Sequence, residues 1–353
     1  MKAINLLHCS FMIDNKKYFG KENIFVTGRA TTGLYLILLK EGIKNKKILF
    51  PANICYAPVF AAVFSGNKPA FVDIADWANT SLKKIQECFD KDIACIVLPH
   101  MYGKVVKDVQ KISDFCHKNG ILFIEDCASA FGASFNDKPV GSFGDYSIFS
   151  FDYSKIVDVG FGGIVASNKD LSSFEELEEK LPFLDSDIEE SLGMFSRIYH
   201  VIRNSTENSL TRSIYNSLPE YMSKYFLFRL SDEEKQTVLN SLKNVGSEKE
   251  KLWNAYNSYV KEFNNNENIN ICSYEAGDIP WRFSFTYQGD RKEFVSFLLE
   301  NSIPISNWYP FIGNMFGIKD SQYEKTVKIE KTIYNLPIKN DGREWIRIIN
   351  RFF

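Results

Sequence analysis

Apolar and polar positions follow two different rhythms along this chain. From Thr27 the stretch TGRATTGLYLILLKEGI places apolar side chains at Leu34, Ile37 and Leu38 with helical spacing, and Gly42 reads as a stop. The spacing predicts a helix over about 30 to 41, entered from a glycine turn. Short apolar runs follow, each closed by polar or turn residues: KILFPA (47 to 52), KPAFVDI (68 to 74), ACIVLPH (94 to 100), ILFIED (121 to 126) and YSIFSF (146 to 151). These read as strands buried on both faces, as in a parallel sheet.

Helix-length segments at 54 to 65, about 81 to 89, and VVKDVQKISDFCHKNG fill most of the gaps, the last with a glycine suited to a helix end. The alternation is that of an α/β layer fold. Ligands gather at the carboxyl ends of the strands in such folds, and His100, Asp126 and Ser150 fall there. A strand-end aspartate can equally cap a helix or sit in a turn. After about residue 170 the alternation stops, and the segment to about 228 reads as helical, polar and irregular. An amphipathic helix is expected from Asp232 through the 250s. WRFSFTYQ, REWIRIIN and the helix-like RKEFVSFLLENSI then suggest a smaller α+β domain. With 353 residues, the natural division is a large domain over 1–235 and a small one over 236–353.

Composition narrows the functions. Lys and Arg total 42 against 44 for Asp and Glu, so no basic footprint marks a nucleic-acid or membrane-surface partner. No apolar run reaches the roughly eighteen residues needed to span a bilayer, and the start MKAINLLHCSFMIDNKK lacks a cleavage site after a proper apolar region, so a cytoplasmic location is expected. The cysteines (Cys9, Cys55, Cys88, Cys95, Cys116, Cys127, Cys272) show no CxxC pair, and the histidines (His8, His100, His117, His200) do not cluster. Neither a disulfide framework nor a metal-centred mechanism is expected.

Lys155, between the strand-like YSIFSF and the glycine-rich VGFGG, is the candidate reactive group. A free amine at neutral pH is mostly protonated, so a catalytic lysine needs a depressed pKa or binding as an imine. Pyridoxal phosphate (PLP) provides the imine, and it further needs a carboxylate at its ring nitrogen and backbone amides at its phosphate. Asp126 and the helix start at Gly28 to Thr32 are available for these tasks. By spacing alone a nucleotide site fits the same residues.

The run IEDCASAFGASFNDKPVGSFGDYSIFSFDYSKIVDVGFGGIVAS resembles the DegT/DnrJ/EryC1/StrS family of PLP-dependent aminotransferases, whose pattern there is an ED-A-A-A-GA stretch, then GS-GD, SF-K and GG. The resemblance continues upstream through TGRATTGLYLILL, LFPANICYAPVFAAVFSGNKPAFVDI and VLPHMYGKVVKDV, and returns in FRLSDEEKQTVLNSLKNV, NSIPISNWYPF and YNLPI. It implies a type I, aspartate aminotransferase-like fold with a mainly parallel sheet in the large domain. The implied activity moves an amino group from glutamate to a nucleotide-linked keto sugar, in amino-sugar or cell-surface polysaccharide biosynthesis, by a homodimer with sites at the subunit interface. By this resemblance Lys155 is the Schiff-base lysine and proton shuttle, and Asp126 pairs with the pyridine nitrogen. Ser150 and the amides of Ala30 and Thr31 hold the phosphate. Ser129 stands where the family has Gln or His near the ring hydroxyl, and Cys55, followed by Tyr56, where it has the stacking aromatic.

Two positions depart from the family pattern. Phe161 replaces a Glu in a GEGG turn, and Leu227 in LFRLS replaces an Asn that reaches the partner subunit's phosphate. Family dehydratases carry histidine in place of the lysine, so Lys155 favours transamination. A lyase or dehydratase acting on a sugar nucleotide, or a PLP-binding regulatory protein, is the alternative. His100 is either a core histidine or a substrate contact, and Arg29 either an anion ligand or a surface charge. Trp308 and Tyr309 either pack or line the substrate pocket.

Overall fold

A computed structural model describes residues 13–185, 187, 188, 190, 191, 193, 194, 222–338 and 342–353. His8, Cys9, His200 and most of the helical reading between 195 and 221 lie outside them. In chain order the strands are Asn23–Thr27 (β1), Lys47–Pro51 (β2), Lys68–Val72 (β3), Ile93–Pro99 (β4), Leu122–Asp126 (β5), the two-residue pair Ser134–Phe135 (β6) and Lys138–Pro139 (β7), Tyr146–Ser150 (β8), Gly163–Ser167 (β9), Ile269–Ile271 (β10), Arg282–Tyr287 (β11) and Ile333–Pro337 (β12).

Seven strands form the main sheet in the order β1-β9-β8-β5-β4-β2-β3. The five runs expected as strands are its parallel part, from β3 to β8. Strands β1 and β9 had no place in the sequence reading. Strand β9 runs antiparallel to both β8 and β1, so β1 points the same way as β8. The ends of β1, β2, β4, β5 and β8 therefore open on one edge of the sheet.

Successive side chains of a strand point to opposite faces, and the core divides accordingly. Ile48, Phe50, Cys95, Val97 and Ile124 pack with Leu34 and Ile37 of helix Ala30–Lys40 and Phe60 of helix Tyr56–Phe64. Their neighbours Leu49, Ile96, Leu98 and Phe123 face Ile85 of helix Leu82–Cys88 and Ile112 and Cys116 of helix Val109–Lys118. Burial on both faces is why these strands carry unbroken apolar runs.

The helix expected from Asp232 is two helices, Asp232–Ser241 and Val245–Phe263, joined by a 3-10 turn at Leu242–Asn244. Ser231 and Glu234 start it with reciprocal side-chain to backbone bonds, a capping box. Strands β10, β11 and β12 form an antiparallel sheet whose Phe283, Phe285, Tyr334 and Leu336 share a core with Tyr259, Phe263, Phe294 and Ile346. REWIRIIN is helical over Arg343–Ile349. Before the undescribed stretch the chain is clasped: the Leu184 amide donates to the Arg229 carbonyl at 2.9 Å and the Arg229 amide to Pro182 at 2.8 Å. The Arg229 guanidinium lies 3.9 Å from the Phe183 ring centroid.

Candidate active site

Because β1 ends on the same edge as β8, the turn Gly28–Arg29 delivers the start of helix Ala30–Lys40 beside Ser150. Gly163 makes that approach possible. It pairs with Ser150 across β8 and β9, and a Cβ on it would lie 2.3 Å from the Arg29 carbonyl carbon and 2.4 Å from the Ala30 nitrogen. Gly28 is equally confined, with the Phe228 carbonyl oxygen 2.0 Å from the position its Cβ would take. The first intrahelical bond, Gly33 amide to Arg29 carbonyl at 3.0 Å, leaves the Ala30 and Thr31 amides pointing out of the helix start. Amides at a helix N-terminus suit a phosphate or carboxylate. Gly163→Ala is expected to displace this start, costing about 2 kcal/mol of stability. A urea titration, with phosphate affinity measured on the folded fraction, reads both effects.

The chain leaves β8 through Asp152 and turns back at Ser154, whose φ is 62°. Asp158 accepts the Ser154 amide at 2.8 Å, and the Lys155 amide donates to the Asp152 carbonyl at 3.2 Å. The indole N–H of Trp281 donates to the Ser154 carbonyl at 2.6 Å, tying this turn to the head of β11. Lys155 Nζ lies 5.2 Å from the Trp281 ring centroid and has no hydrogen-bond partner among the described residues. Burial pushes its amine below the usual lysine range; Arg282 and Arg29 act in the same sense, while Cys55 and Asp126 oppose. Asp126 is shifted upward, mainly by burial, against the Ala128 amide that donates to its Oδ1 at 3.0 Å and the nearby charge of Lys155. Its Oδ2 has no hydrogen bond among the described residues.

Adjacent Glu125 points to the other face of β5 and is fully buried. It accepts the amides of Gly141 at 3.0 Å, Phe143 at 2.6 Å and Gly144 at 2.7 Å, and meets His100 Nε2 at 3.1 Å. His100 Nδ1 accepts the Val106 amide at 3.1 Å, so Nε2 carries the proton given to Glu125. Burial alone would raise the Glu125 carboxyl, but these hydrogen bonds outweigh it and hold the group below the usual glutamate range. His100 thus follows the core alternative. Cys127 lies close to the pair, but the lone pairs a metal would need are already engaged. Glu125→Gln is expected to destabilise the fold by about 3 kcal/mol, since an amide cannot accept all these donors. The carboxylate's contribution is full above the ordinary glutamate pKa and fades as pH falls through its lower folded value, which urea midpoints measured across that range will show.

A cavity of about 500 Å³ opens above this edge, and all eight residues expected for a cofactor line it: Ala30, Thr31, Cys55, Tyr56, Asp126, Ser129, Ser150 and Lys155. Arg29 lines it too, ion-paired with Asp152 and 5.9 Å from the Phe228 ring centroid. Trp308 and Tyr309 are in the wall, the Tyr309 amide donating to the Tyr102 hydroxyl at 2.9 Å. Phe161 is also there, whereas Leu227 is buried in the core beside Phe226. The Thr32 hydroxyl donates to the Phe226 carbonyl at 3.1 Å, which straps this segment onto the helix start. Sequence reasoning missed Asp152, Trp281 and Arg282. For the last two, the only signal was a Trp-Arg pair heading an apolar strand.

The model of the family described as the DegT/DnrJ/EryC1/StrS aminotransferase family matches residues 10–186. The chain is 34% identical over 143 residues to a Vibrio cholerae GDP-perosamine synthase, covering 40% of this chain and 39% of the relative. It is 29% identical over 253 residues to a Campylobacter jejuni UDP-4-amino-4,6-dideoxy-N-acetyl-beta-L-altrosamine transaminase, 71% of this chain and 60% of that one. These alignments therefore take in less than two thirds of either relative's length. Among solved structures, Helicobacter pylori PseC, an aminotransferase involved in the biosynthesis of pseudoaminic acid, superposes with a TM-score of 0.74 at 18% identity, over 96% of this chain and 88% of that one. That likeness establishes a shared fold.

Proposed function

The chain belongs to the DegT/DnrJ/EryC1/StrS aminotransferase family, and we propose that it is a pyridoxal-phosphate enzyme that transfers an amino group from glutamate to a keto sugar carried on a nucleotide. The observation that carries this reading is one cavity holding a lysine whose amine is pushed down, an aspartate whose carboxyl is pushed up, and the open amides of a helix start. That donor set fits the cofactor's amine-binding aldehyde, its basic ring nitrogen and its phosphate. Pyridoxal phosphate, when bound, supplies the reversible exchange of an amine and a ring that accepts electrons.

Ala30 and Thr31 amides with the Ser150 hydroxyl would bind the phosphate, the positive end of the helix adding to the attraction. Asp126, kept dry and oriented by the Ala128 amide, would pair with the ring nitrogen and favour its protonated form. Ser129 would offer its hydroxyl to the cofactor, and Cys55 and Tyr56 would form part of the wall that holds it. Lys155 would hold the cofactor through Nζ and, with that nitrogen free again, would move a proton at the substrate carbon. Burial pushes its amine down, which favours the free base that such an exchange needs. Trp308, Tyr309 and Phe161 close the cavity against water.

On this reading the working unit is a homodimer in the cytosol, and its product feeds amino-sugar biosynthesis for cell-surface polysaccharides. The relatives' names, a perosamine synthase and an altrosamine transaminase, support the substrate class. Purified protein mixed with pyridoxal phosphate should gain visible absorbance that changes with glutamate and returns with one of a panel of 3-keto and 4-keto sugar nucleotides. Protein that stays colourless sinks the reading.

A further inference from the structure

Arg29 stands at the N-cap of helix Ala30–Lys40 in an extended conformation, φ −153° and ψ 164°, and makes no side-chain cap bond. Ser, Thr, Asp or Asn at this position would take up the helix's free amides, whereas a guanidinium only donates and leaves them open. The same edge of the cavity carries two further idle groups. Thr31 and Ser150, 6% and 8% exposed, both line the cavity, and neither hydroxyl has a hydrogen-bond partner among the described residues. Buried hydroxyls ordinarily find a partner, so two idle ones beside open amides mark a seat for an external acceptor.

A phosphate ester carries about −1.5 to −2 charges at neutral pH. The helix end supplies only about half a positive charge, and hydroxyls supply none. Arg29 can make up the difference from the residue next to the amides. Its guanidinium spends a single bond, through Nη2, on Asp152, and it lies 5.9 Å from the Phe228 ring centroid. Nε and Nη1 have no partner among the described residues and are not sealed from solvent. Both members of the pair line the cavity. A pair built only to hold the fold would close on itself through two parallel bonds, whereas this one is gripped at one end and open along the rest.

We propose that Arg29 is a ligand of the cofactor's phosphate, steadied by Asp152 and reaching the anion from the same turn whose amides receive it. This rests on the aminotransferase reading above and extends it, because the cofactor's anion is then balanced by a full positive charge from within one chain. The phosphates of a sugar nucleotide suit these donors less well. Amides, hydroxyls and a guanidinium at one turn converge on one tetrahedral group. A terminal phosphate meets them with three free oxygens, whereas each internal phosphate of a sugar nucleotide has one oxygen fewer and a smaller charge.

The test compares wild type, Asp152→Asn, and Arg29→Gln combined with Asp152→Asn, a double variant that removes the cation without leaving Asp152 buried and unpaired. Each cofactor-free protein is titrated calorimetrically with pyridoxal phosphate, with pyridoxal, which lacks the phosphate, and with inorganic phosphate. Relative to Asp152→Asn, the double variant should bind pyridoxal phosphate and inorganic phosphate about 100-fold more weakly. Pyridoxal should bind all three proteins alike, which also shows that the variants fold. Affinities of the double variant for both phosphate ligands within about threefold of Asp152→Asn overturn this assignment alone. An equal loss for pyridoxal overturns it too, since Arg29 would then support the cavity rather than the anion. Wild type that takes up neither pyridoxal phosphate nor pyridoxal overturns the functional reading and the assignment with it.

Discussion

Lys155→Ala is expected to lower turnover by about 10⁴-fold, because among the described residues no other group in the cavity is as well placed to take the proton. Arg29 and Arg282 stay protonated at any working pH, and Arg29 is paired with Asp152. Burial pushes the Cys55 thiol up, away from a useful thiolate. His100 spends both ring nitrogens on Glu125 and the Val106 amide. Release of 2-oxoglutarate from glutamate in a single turnover measures the loss, and visible absorbance should disappear with it. The fold should survive, since Nζ makes no hydrogen bond among the described residues. Activity within tenfold of wild type would assign the proton transfers elsewhere.

Asp126→Asn separates stability from function. The asparagine oxygen can still accept the Ala128 amide, so the local structure should hold and cofactor should bind. The negative charge at Oδ2 is lost, and removing one preorganised electrostatic partner lowers kcat by about 10² to 10³. Stability should move the other way. The folded carboxyl titrates above its ordinary range, so the aspartate's stability is greatest at low pH and declines as pH rises through that range. At neutral pH the cofactor-free variant should therefore melt at a higher temperature than wild type. A lower melting point would mean that a neighbouring cation stabilises the buried carboxylate more than burial costs it.

The adjacent pair Glu125 and Asp126 shows what the sequence makes legible and what it conceals. Two acids closing an apolar run announce a strand end, and parallel strands place such ends on the ligand edge. Their opposite fates follow from the two-residue period, which turns Glu125 into a nest of amides and Asp126 into the cavity. Which face meets amides and which meets the cavity depends on elements far along the chain. The five parallel strands were readable because burial on both faces leaves unbroken apolar runs. Strand β9 was not, since its leading Gly163 belongs at once to a turn, a strand and the contact with the Ala30 nitrogen. Arg282 and Trp281 escaped because they reach the cavity from the other sheet, and no local period reports such an approach. Leu227 had the form of a site position and is a core residue, packed among aromatic side chains.

The clasp between Pro182–Leu184 and Arg229 gives this fold a way to diversify. Everything between its two halves departs from one point of the fold and comes back to it, and both halves edge the cavity through Leu184 and Phe228. Changing the length of such an excursion costs little, about 0.6 kcal/mol for each doubling. Selection can therefore rewrite that stretch as an exchangeable cassette while the lysine, the aspartate and the helix start stay unchanged.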